Sequence, residues 1–273
     1  MSDPSSQAPP SGAVLEAFGA ARSLVPVAGG RGHAWRAGDL ILKPADLSPV
    51  EHAWHAEVLP TIRLDGFRLA LPRRADDGRL VVDGWAAWGH VDGEHRSGRW
   101  PEIIEIGERL HRALTNVPRP KFIATRSDPW SLGDRIAWGE ASSAPYRRID
   151  SVSRLVDLLV PIVTSSQVVH GDLTGNVLFA DDLPPAVIDF SPYWRPTAYA
   201  TAIVVADALV WEGADRSLVT GVLGVDAFAQ YLARALIFRI VSASIGGLEG
   251  DDTALSATYR AAVDTTVEVS GAR

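Results

Sequence analysis

The first third of the chain contains short apolar runs that predict β-strands. Gly, Pro or Asp interrupts each run before it reaches the length of a helix. One stretch differs, because Pro49–Leu59 predicts a helix with Ser48 as its N-cap and Pro49 in its first position. The predicted strands are Ser23–Val27, His33–Arg36, Leu40–Leu42, Phe67–Leu71 and Leu80–Trp85.

After Gly93 the apolar residues recur every three or four positions, which predicts helices. The spacing is clear in Trp100–Thr115 and Ser151–Val163, and from Ala198 the chain is predicted to be helical to its end. Between these segments, three short apolar runs predict strands again. These runs are Val168–Val169, Val177–Phe179 and Ala186–Ile188.

Together the patterns predict an α+β chain with two lobes. A small β-rich N-terminal lobe is expected at residues 13–90, and a larger, mainly helical C-terminal lobe at residues 91–273. A hinge is expected near Trp88–Gly93, where the β-rich pattern ends. Residues 1–12 are rich in Ser and Pro and predict a disordered tail; they lack the basic start and apolar core of a signal peptide.

Composition narrows the class of protein. The 273 residues suffice for one large domain or two lobes. The absence of cysteine excludes disulfides and thiolate metal sites. A net charge of −7 without a long Lys/Arg run argues against nucleic-acid binding. The most apolar stretches, Leu155–Val163 and Ala202–Trp211, are too short to span a bilayer, so we expect a cytoplasmic protein that binds no membrane.

Three polar residues lie at the ends of the short strands in the C-terminal half. Asp172 follows the first of these strands, Asn176 opens the second, and Asp189 ends the third. Two carboxylates and a carboxamide at neighbouring strand ends suit a hard cation with oxygen ligands, most commonly Mg²⁺ bridging phosphates. The alternative is a polar turn whose Asp and Asn cap the backbone. That alternative does not explain the second Asp.

The segment His170–Asp172 (His-Gly-Asp) with Asn176, followed by Ile188–Phe190 (Ile-Asp-Phe), resembles the catalytic loop and metal-binding motif of the aminoglycoside phosphotransferase family. The resemblance implies a two-lobed protein-kinase-like fold and an enzyme that uses ATP and Mg²⁺ to phosphorylate a hydroxyl of a small molecule. It implies that Asp172 orients and helps deprotonate the acceptor hydroxyl, while Asn176 and Asp189 hold Mg²⁺. Acceptors of such relatives include aminoglycosides, other antibiotics, amino alcohols and sugars.

The sequence departs from the family pattern in two places. Three residues, Leu173–Gly175, separate the loop Asp from the Asn, where the family usually has four, so the loop must be tighter and Gly175 is expected to supply conformational freedom. Phe190 is followed by Ser-Pro instead of Gly, which stiffens that segment. With the preference for Arg over Lys, these departures indicate an actinobacterial subfamily whose substrate the sequence does not define.

Residues of the N-terminal lobe follow the order of a nucleotide site. Gly29, Gly30 and Gly32 stand between two predicted strands, where a phosphate-covering turn belongs, although hairpin glycines are more often simple turn residues. Lys43 ends the third predicted strand, and its ammonium group is expected to contact the α- and β-phosphates. The alternative is a surface lysine at a strand edge. The phosphate-contacting role of Lys43 is favoured, because Lys121 is the only other lysine in the chain.

The partner of Lys43 is expected to be a Glu on the following helix. Glu51 is the first choice, because its surroundings are similar to the Glu-x-x-Trp pattern of the family, and Glu57 is the alternative. Backbone groups near Trp88 to His90 are expected to meet the adenine edge.

Further assignments concern the support of the loop and the acceptor. His111 and His170 are expected to be structural, with His170 bracing the catalytic loop through hydrogen bonds. Asp207, Glu212 and Asp215 lie in the segment where the family builds its acceptor pocket, and they would suit a cationic acceptor. Carboxylates on an exposed helix surface are the alternative.

Two rival functions compete with the phosphotransferase hypothesis. A nucleotide-binding pseudokinase, acting as a regulatory or scaffold module, is favoured by the shortened loop. The presence of Lys43, Asp172, Asn176 and Asp189 together argues against it. A protein kinase is disfavoured, since no activation segment of the right length and no Ala-Pro-Glu-like anchor follow Asp189.

Overall fold

The computed structural model describes residues 8–27, 33–222, 224–248 and 250–271. The chain divides into two compact units, one within Met1–Glu94 and Leu178–Asp189 and the other within His95–Val177 and Phe190–Arg273. The first unit is built on an antiparallel sheet and the second mainly on helices. The predicted α+β class is therefore confirmed.

The elements are numbered in chain order. The helices are α1 (Gly12–Ala17), α2 (Pro49–Val58), α3 (Trp100–Ala113), α4 (Pro129–Ala137), α5 (Asp150–Asp157), α6 (Thr197–Trp211), α7 (Arg216–Val222), α8 (Phe228–Gly246) and α9 (Asp252–Val269). The strands are β1 (Val25–Pro26), β2 (Trp35–Ala37), β3 (Leu40–Pro44), β4 (Arg68–Leu69), β5 (Pro72–Arg73), β6 (Val81–Val82), β7 (Trp85–Gly89), β8 (Gln167–His170), β9 (Val177–Ala180), β10 (Leu183–Val187) and β11 (Pro192–Arg195).

The main sheet of the first unit has the order β1-β2-β3-β7-β5, with β6 paired to β7, and all of its pairs are antiparallel. Leu42 and Ala87 are register neighbours on β3 and β7, and both are buried. They belong to one apolar cluster with Val14 and Phe18 from the α1 segment. A smaller sheet, β4-β10-β9, completes this unit.

Helix α2 begins as its sequence predicts. The Ser48 hydroxyl accepts a hydrogen bond from the Glu51 N–H at 3.3 Å, and the Glu51 carboxylate accepts one from the Ser48 N–H at 3.0 Å. This reciprocal capping box satisfies two backbone donors that the first helical turn would otherwise leave without partners. Pro49 occupies the first turn, where no N–H is needed.

Two predicted boundaries are wrong. Leu80–Trp85 is not one strand but a hairpin, because Asp83 (φ 47°) and Gly84 (φ 79°) form a turn with two positive φ angles between β6 and β7. The helix predicted at Ser151–Val163 ends at Asp157. Pro161 disfavours helical geometry at the preceding residue, and the Val160 N–H donates instead to the Gln230 side chain at 2.9 Å.

The core of the second unit surrounds α8, which contacts α4, α5, α6 and α9. Leu232, Leu236 and Phe238 of α8 are fully buried or nearly so. By length and composition alone α8 could cross a membrane, but 78% of its most apolar window is buried inside the protein. A helix that is apolar all round and buried is typical of the core of a globular protein.

Candidate active site

The loop after β8 in the second unit is braced by two buried histidines. The Asp172 N–H donates to His170 Nδ1 at 3.1 Å, and the His170 N–H donates to His111 Nε2 at 3.1 Å. Burial, with a smaller contribution from neighbouring His170, lowers the pKa of His111 to about 3. His111 is therefore neutral near pH 7 and can accept this hydrogen bond. The hydrogen bonds expected of His170 and the packed position expected of His111 are present.

Two glycines allow the loop to take its shape. A Cβ atom at Gly171 would lie 2.3 Å from the ring of Tyr193 on β11, so no larger residue fits without movement there. Gly175 has φ 79°, and the Asn176 N–H closes the turn by donating to the Leu173 carbonyl at 2.9 Å. The shortened loop is therefore accommodated by a left-handed glycine, as predicted.

Asn176 is tied to Asp172. Its Nδ2 donates to the Asp172 carbonyl at 2.6 Å and to Asp172 Oδ2 at 3.1 Å. Within the described residues the Asn176 amide oxygen accepts no hydrogen bond, so it remains available to a hard cation, which prefers such ligands. The described residues contain no group of three or more His, Asp or Glu side chains that could hold a metal on its own.

Asp172 has a second partner that the sequence did not predict. Arg239, on α8, donates from Nη2 to Asp172 Oδ1 at 2.6 Å. The same guanidinium donates from Nε and Nη2 to the Asp207 carboxylate at 2.7 and 2.6 Å. Asp172, Asp207 and Arg239 are called the Arg239 cluster below. Its two carboxylates come from the loop after β8 and from α6, so one buried cation on α8 links three parts of the chain.

Burial and charge set the protonation of the Arg239 cluster. Burial raises the pKa of the Asp207 carboxyl, and the Arg239 cation opposes that rise. Burial would lower the pKa of Arg239, but the Asp207 and Asp172 carboxylates outweigh it and raise that pKa well above its ordinary value. Arg239 is thus a permanent cation whose charge is shared by two acids.

The Arg239 cluster lines a cavity of about 350 Å³ within the second unit. Polar side chains converge on one part of it, where Glu212 accepts hydrogen bonds from His95 Nε2 at 2.7 Å and from the Trp100 indole N–H. Large apolar side chains form much of the remaining wall. They are Trp130, Trp211, Leu248 and Tyr259.

The acidic residues expected near the acceptor have three different environments. The Asp207 side chain is 3% exposed and paired with Arg239, and Glu212 is held by the hydrogen bonds just described. Asp215 is exposed and accepts from the Ser217 N–H at 2.8 Å. Only the first two line the cavity.

In the first unit, Lys43 and Asp189 form an ion pair. Lys43 lies near the end of β3, and Asp189 follows β10 with φ 48°, a left-handed conformation that Asp tolerates better than most residues. The side chains are 27% and 46% exposed. The structure thus brings together two of the residues selected from the sequence, with both side chains partly open to solvent.

The other residues predicted to contact the nucleotide have partners within the protein or lie outside the described residues. The Glu51 carboxylate is engaged by Ser48 in the capping box, and Glu57 is exposed. Trp88 is buried in β7, and the N–H groups of the next two residues donate to the Leu71 and Asp39 carbonyls. Those N–H groups are therefore already used within the sheet. Gly29, Gly30 and Gly32 lie outside the described residues.

Val91, which follows β7 by two residues, differs from its neighbours. Its backbone N–H and carbonyl have no hydrogen-bond partner among the described residues, whereas His90 and Asp92 are held on either side. A backbone N–H and carbonyl without partners, next to a fixed strand, are suited to the edge of a planar base.

A second cluster of one arginine and two carboxylates lies in the same unit. Arg195, on β11, donates from Nη2 to Asp134 Oδ2 at 2.6 Å and from Nη1 to Glu140 Oε1 at 2.5 Å. These three residues are called the Arg195 cluster. They line a cavity of only about 40 Å³. None of them was selected from the sequence.

Sequence reasoning missed Arg239 because the residue lies 67 positions after Asp172, in a helix without a motif. A signal was nevertheless present. Arg234 and Arg239 interrupt an apolar stretch, and a buried arginine requires an acidic or carbonyl partner. That signal indicates that partners exist, but not which ones.

Comparison with known proteins supports the fold. No protein-family model matches the sequence, and no curated protein matches it by sequence. Among solved structures, a thermostable mutant of aminoglycoside phosphotransferase APH(4)-Ia is similar, with a TM-score of 0.65, 12% identity, and coverage of 95% of this chain and 99% of that one. Another structure of an APH(4)-Ia mutant holds AMP-PNP and hygromycin B.

Two further structures agree. Spectinomycin phosphotransferase APH(9)-Ia, in complex with ADP and spectinomycin, gives a TM-score of 0.54 at 14% identity, covering 95% of this chain and 96% of that one. An aminoglycoside phosphotransferase from Alicyclobacillus acidocaldarius gives 0.56 at 14% identity, covering 97% and 96%. The chain therefore has the protein-kinase-like fold of the aminoglycoside phosphotransferases, as its motifs imply.

Proposed function

We propose that the chain is an ATP- and Mg²⁺-dependent phosphotransferase that acts on a hydroxyl of a small molecule. The observation that carries the proposal is Asp172, a carboxylate that is 42% exposed, held by Arg239 and Asn176, and located at the wall of a cavity of about 350 Å³. A fixed, accessible carboxylate can accept the hydrogen bond of an acceptor hydroxyl. The similar structures with AMP-PNP or ADP support a nucleotide as the donor.

The nucleotide would be held by a charged side chain and by backbone groups that have no partner among the described residues. Lys43 contacts the α- and β-phosphates, and Val91 offers its free backbone groups to the adenine edge. Asn176 and Asp189 would hold Mg²⁺ through side-chain oxygens. When bound, the metal ion would supply positive charge that offsets the phosphate charge.

In the proposed reaction the acceptor oxygen forms a bond to the γ-phosphorus, while the bond from that phosphorus to the β–γ bridging oxygen breaks and ADP leaves. Asp172 first aligns the acceptor hydroxyl and then takes its proton. Arg239 keeps the Asp172 carboxylate in one orientation by holding Oδ1, while Asn176 holds Oδ2. Catalysis would therefore depend mainly on positioning and charge.

The rival proposal of a pseudokinase rests on the shortened loop. Gly175 closes that loop without displacing Asp172 from its partners, so the shortening gives no reason to expect inactivity. Because ATP is a cytoplasmic metabolite, the proposed activity belongs to the cytoplasm. The proposed acceptor is a small molecule with a hydroxyl group.

The experiment that tests the proposal is a melting-temperature titration. ATP with Mg²⁺ should raise Tm, because a ligand that binds only the folded state stabilises it by mass action. Asp189→Ala should remove the metal-dependent part of this shift, whereas Asp65→Ala, which removes another exposed carboxylate of the first unit, should not. No shift with any nucleoside triphosphate at millimolar concentration would count against the proposal. Unfolding of Asp189→Ala would make that residue structural.

A further inference from the structure

The backbone on either side of Val91 is fixed, although its own N–H and carbonyl have no partner among the described residues. On the N-terminal side, the His90 N–H donates to the Asp39 carbonyl at 2.8 Å. On the C-terminal side, the Asp92 carbonyl accepts a hydrogen bond from Arg68 Nη2 at 2.6 Å. Because each peptide unit is planar, these two bonds limit the directions in which the Val91 N–H and carbonyl can point.

Arg68 is itself held by a neighbouring strand. It lies on β4, which pairs in parallel with β10, and its Nε donates to the Pro184 carbonyl of β10 at 2.7 Å. A guanidinium carries its donors in one rigid plane, so this bond also sets the direction of the bond from Nη2 to Asp92. Arg68 forms no ion pair with any of the described residues. Its two carbonyl contacts are therefore what the side chain contributes.

The Asp92 peptide has no comparable second partner. The Asp92 carboxylate lies 3.7 Å from His90 Nδ1, which is too far for a hydrogen bond. Burial lowers the pKa of His90, so the imidazole is mostly neutral near pH 7 and attracts that carboxylate weakly. The next fixed point along the chain is Glu94, which exchanges both backbone hydrogen bonds with Phe179. Within the described residues, Arg68 is the side chain that holds the backbone before this pair.

We propose that Arg68 is a positioning residue for the purine base of the nucleotide. By holding the Asp92 carbonyl, it keeps the Val91 carbonyl directed at the exocyclic amino group of adenine and the Val91 N–H directed at a ring nitrogen. In this role Arg68 acts through the backbone and contacts neither the base nor the phosphates. The inference rests on the proposed function, since it requires a purine nucleotide beside Val91.

Nucleotides that differ only at the base test this role. Isothermal titration calorimetry on the full chain with Mg²⁺ compares ATP, purine riboside triphosphate, which lacks the amino group, and inorganic tripolyphosphate, which lacks the nucleoside. Arg68→Ala should weaken ATP binding by about threefold to tenfold, as expected for one hydrogen bond, and leave tripolyphosphate within about twofold. The preference for ATP over purine riboside triphosphate should shrink, because the Val91 carbonyl is no longer aligned. Arg68→Lys, which can still donate to one carbonyl, should restore part of both effects.

Arg74→Ala is the matched control. Arg74 is an exposed arginine of the same unit that donates to the Gly78 carbonyl at 3.0 Å, so its loss removes the same charge and the same kind of bond. It should change none of these affinities.

Equal weakening of ATP and tripolyphosphate in Arg68→Ala would overturn the inference, because it would show a loss of positive charge and not of base alignment. ATP binding as tight as that of the wild-type chain, or an unchanged preference for the amino group, would overturn it as well. In each of these cases the proposed function stands. A wild-type chain that binds no ATP would overturn both the inference and the proposed function.

Discussion

The Arg239 and Arg195 clusters are built alike. In each, an arginine side chain that is 10% exposed pairs with one buried carboxylate and one partly exposed carboxylate. The buried acids, Asp207 and Asp134, are 3% and 7% exposed, and burial raises the pKa of both. The exposed acids, Asp172 and Glu140, are 42% and 46% exposed.

What differs is the space in front of the exposed acid. Asp172 faces a cavity of about 350 Å³, whereas Glu140 lines one of about 40 Å³, which has room for little more than water. An aromatic contact does not distinguish the clusters, because Arg195 lies over Trp138 and Arg239 over Phe238, each 5.0 Å from the ring centroid. A buried arginine that pairs with two acids therefore has a structural role in both clusters. Only the Arg239 cluster lies beside a cavity with room for a substrate, so it alone is proposed to support a reaction.

Replacing each arginine with methionine is expected to give the largest effects. Arg239→Met and Arg195→Met should each lower the free energy of unfolding by about 3–5 kcal/mol, because each leaves a buried carboxylate without its partner. Only Arg239→Met should also slow phosphoryl transfer per folded molecule, on the order of 10²-fold, since Asp172 loses its fixed position. Denaturant unfolding and rates normalised to folded protein measure both quantities. Equal losses of rate in the two variants would refute the distinction.

Removal of Lys43 should affect nucleotide binding without affecting either cluster. Lys43→Ala is expected to weaken ATP binding by about tenfold to a hundredfold, because hydrogen bonds to charged groups contribute about 1.5–3 kcal/mol. The matched control is Lys121→Ala, which removes the exposed second lysine. Calorimetric titration with ATP and Mg²⁺ measures the affinity of each variant. Equal weakening by both variants would indicate that loss of positive charge anywhere in the protein lowers the affinity, and not loss of a contact made by Lys43.

Two glycines in helices, Gly133 and Gly107, allow the two clusters to be compared by substitutions that disturb packing. A Cβ at Gly133, beside Asp134, would lie 2.8 Å from the Phe238 carbonyl oxygen, a backbone atom that yields little. Gly133→Ala should therefore destabilise the protein by about 1–3 kcal/mol without changing the transfer rate of the folded fraction.

A Cβ at Gly107 would lie 2.6 Å from the end of the flexible Leu173 side chain. Gly107→Ala should cost less stability than Gly133→Ala, because Leu173 can move, but it should slow transfer since Leu173 belongs to the catalytic loop. Thermal unfolding and single-turnover rates distinguish the two variants. A rate loss confined to Gly133→Ala would contradict the assignment of the loop.

The stability of the protein is also expected to depend on pH through His111. The pKa of His111 is about 3 in the folded protein and near 6.5 when unfolded, so the unfolded state binds the extra proton first. The contribution of His111 to stability is therefore complete above about pH 6.5 and decreases as pH falls toward 3, by at most about 1.4 kcal/mol per pH unit. His111→Gln should flatten the slope of unfolding free energy between pH 6.5 and 5. An unchanged slope would show that His111 is not the neutral brace of the loop.

The sequence predicted those parts of the fold that depend on local pattern. The capping box of Ser48 and Glu51 and the left-handed Gly175 follow from residue type and position, so they could be read before the structure. The hairpin at Asp83–Gly84 carried the same kind of signal and was overlooked. Sequence also missed α4, although Asp128 and Pro129 form an ordinary start for a helix.

The candidate site could be predicted only where its residues belong to a motif. Asp172 and Asn176 are four positions apart and share one turn, so their contact is local. Arg239 reaches Asp172 from a helix far along the chain, and the choice of partner depends on how α8 packs against α6. No period or spacing in one sequence specifies that packing. The cavity beside Asp172 has the same origin, because its walls come from separate helices.

The central claim is that Asp172, and not the similarly built Glu140, aligns the acceptor. The most direct test compares Asp172→Asn with Glu140→Gln, measuring ATP affinity and phosphoryl transfer, or background ATP hydrolysis, on the same samples. Asp172→Asn should keep ATP affinity within about twofold while the rate falls by a factor on the order of 10² or more, because only a transition-state interaction is lost. Glu140→Gln should change neither quantity. Equal losses of affinity and rate in Asp172→Asn would make Asp172 a metal ligand, and an unchanged rate would make the protein a pseudokinase.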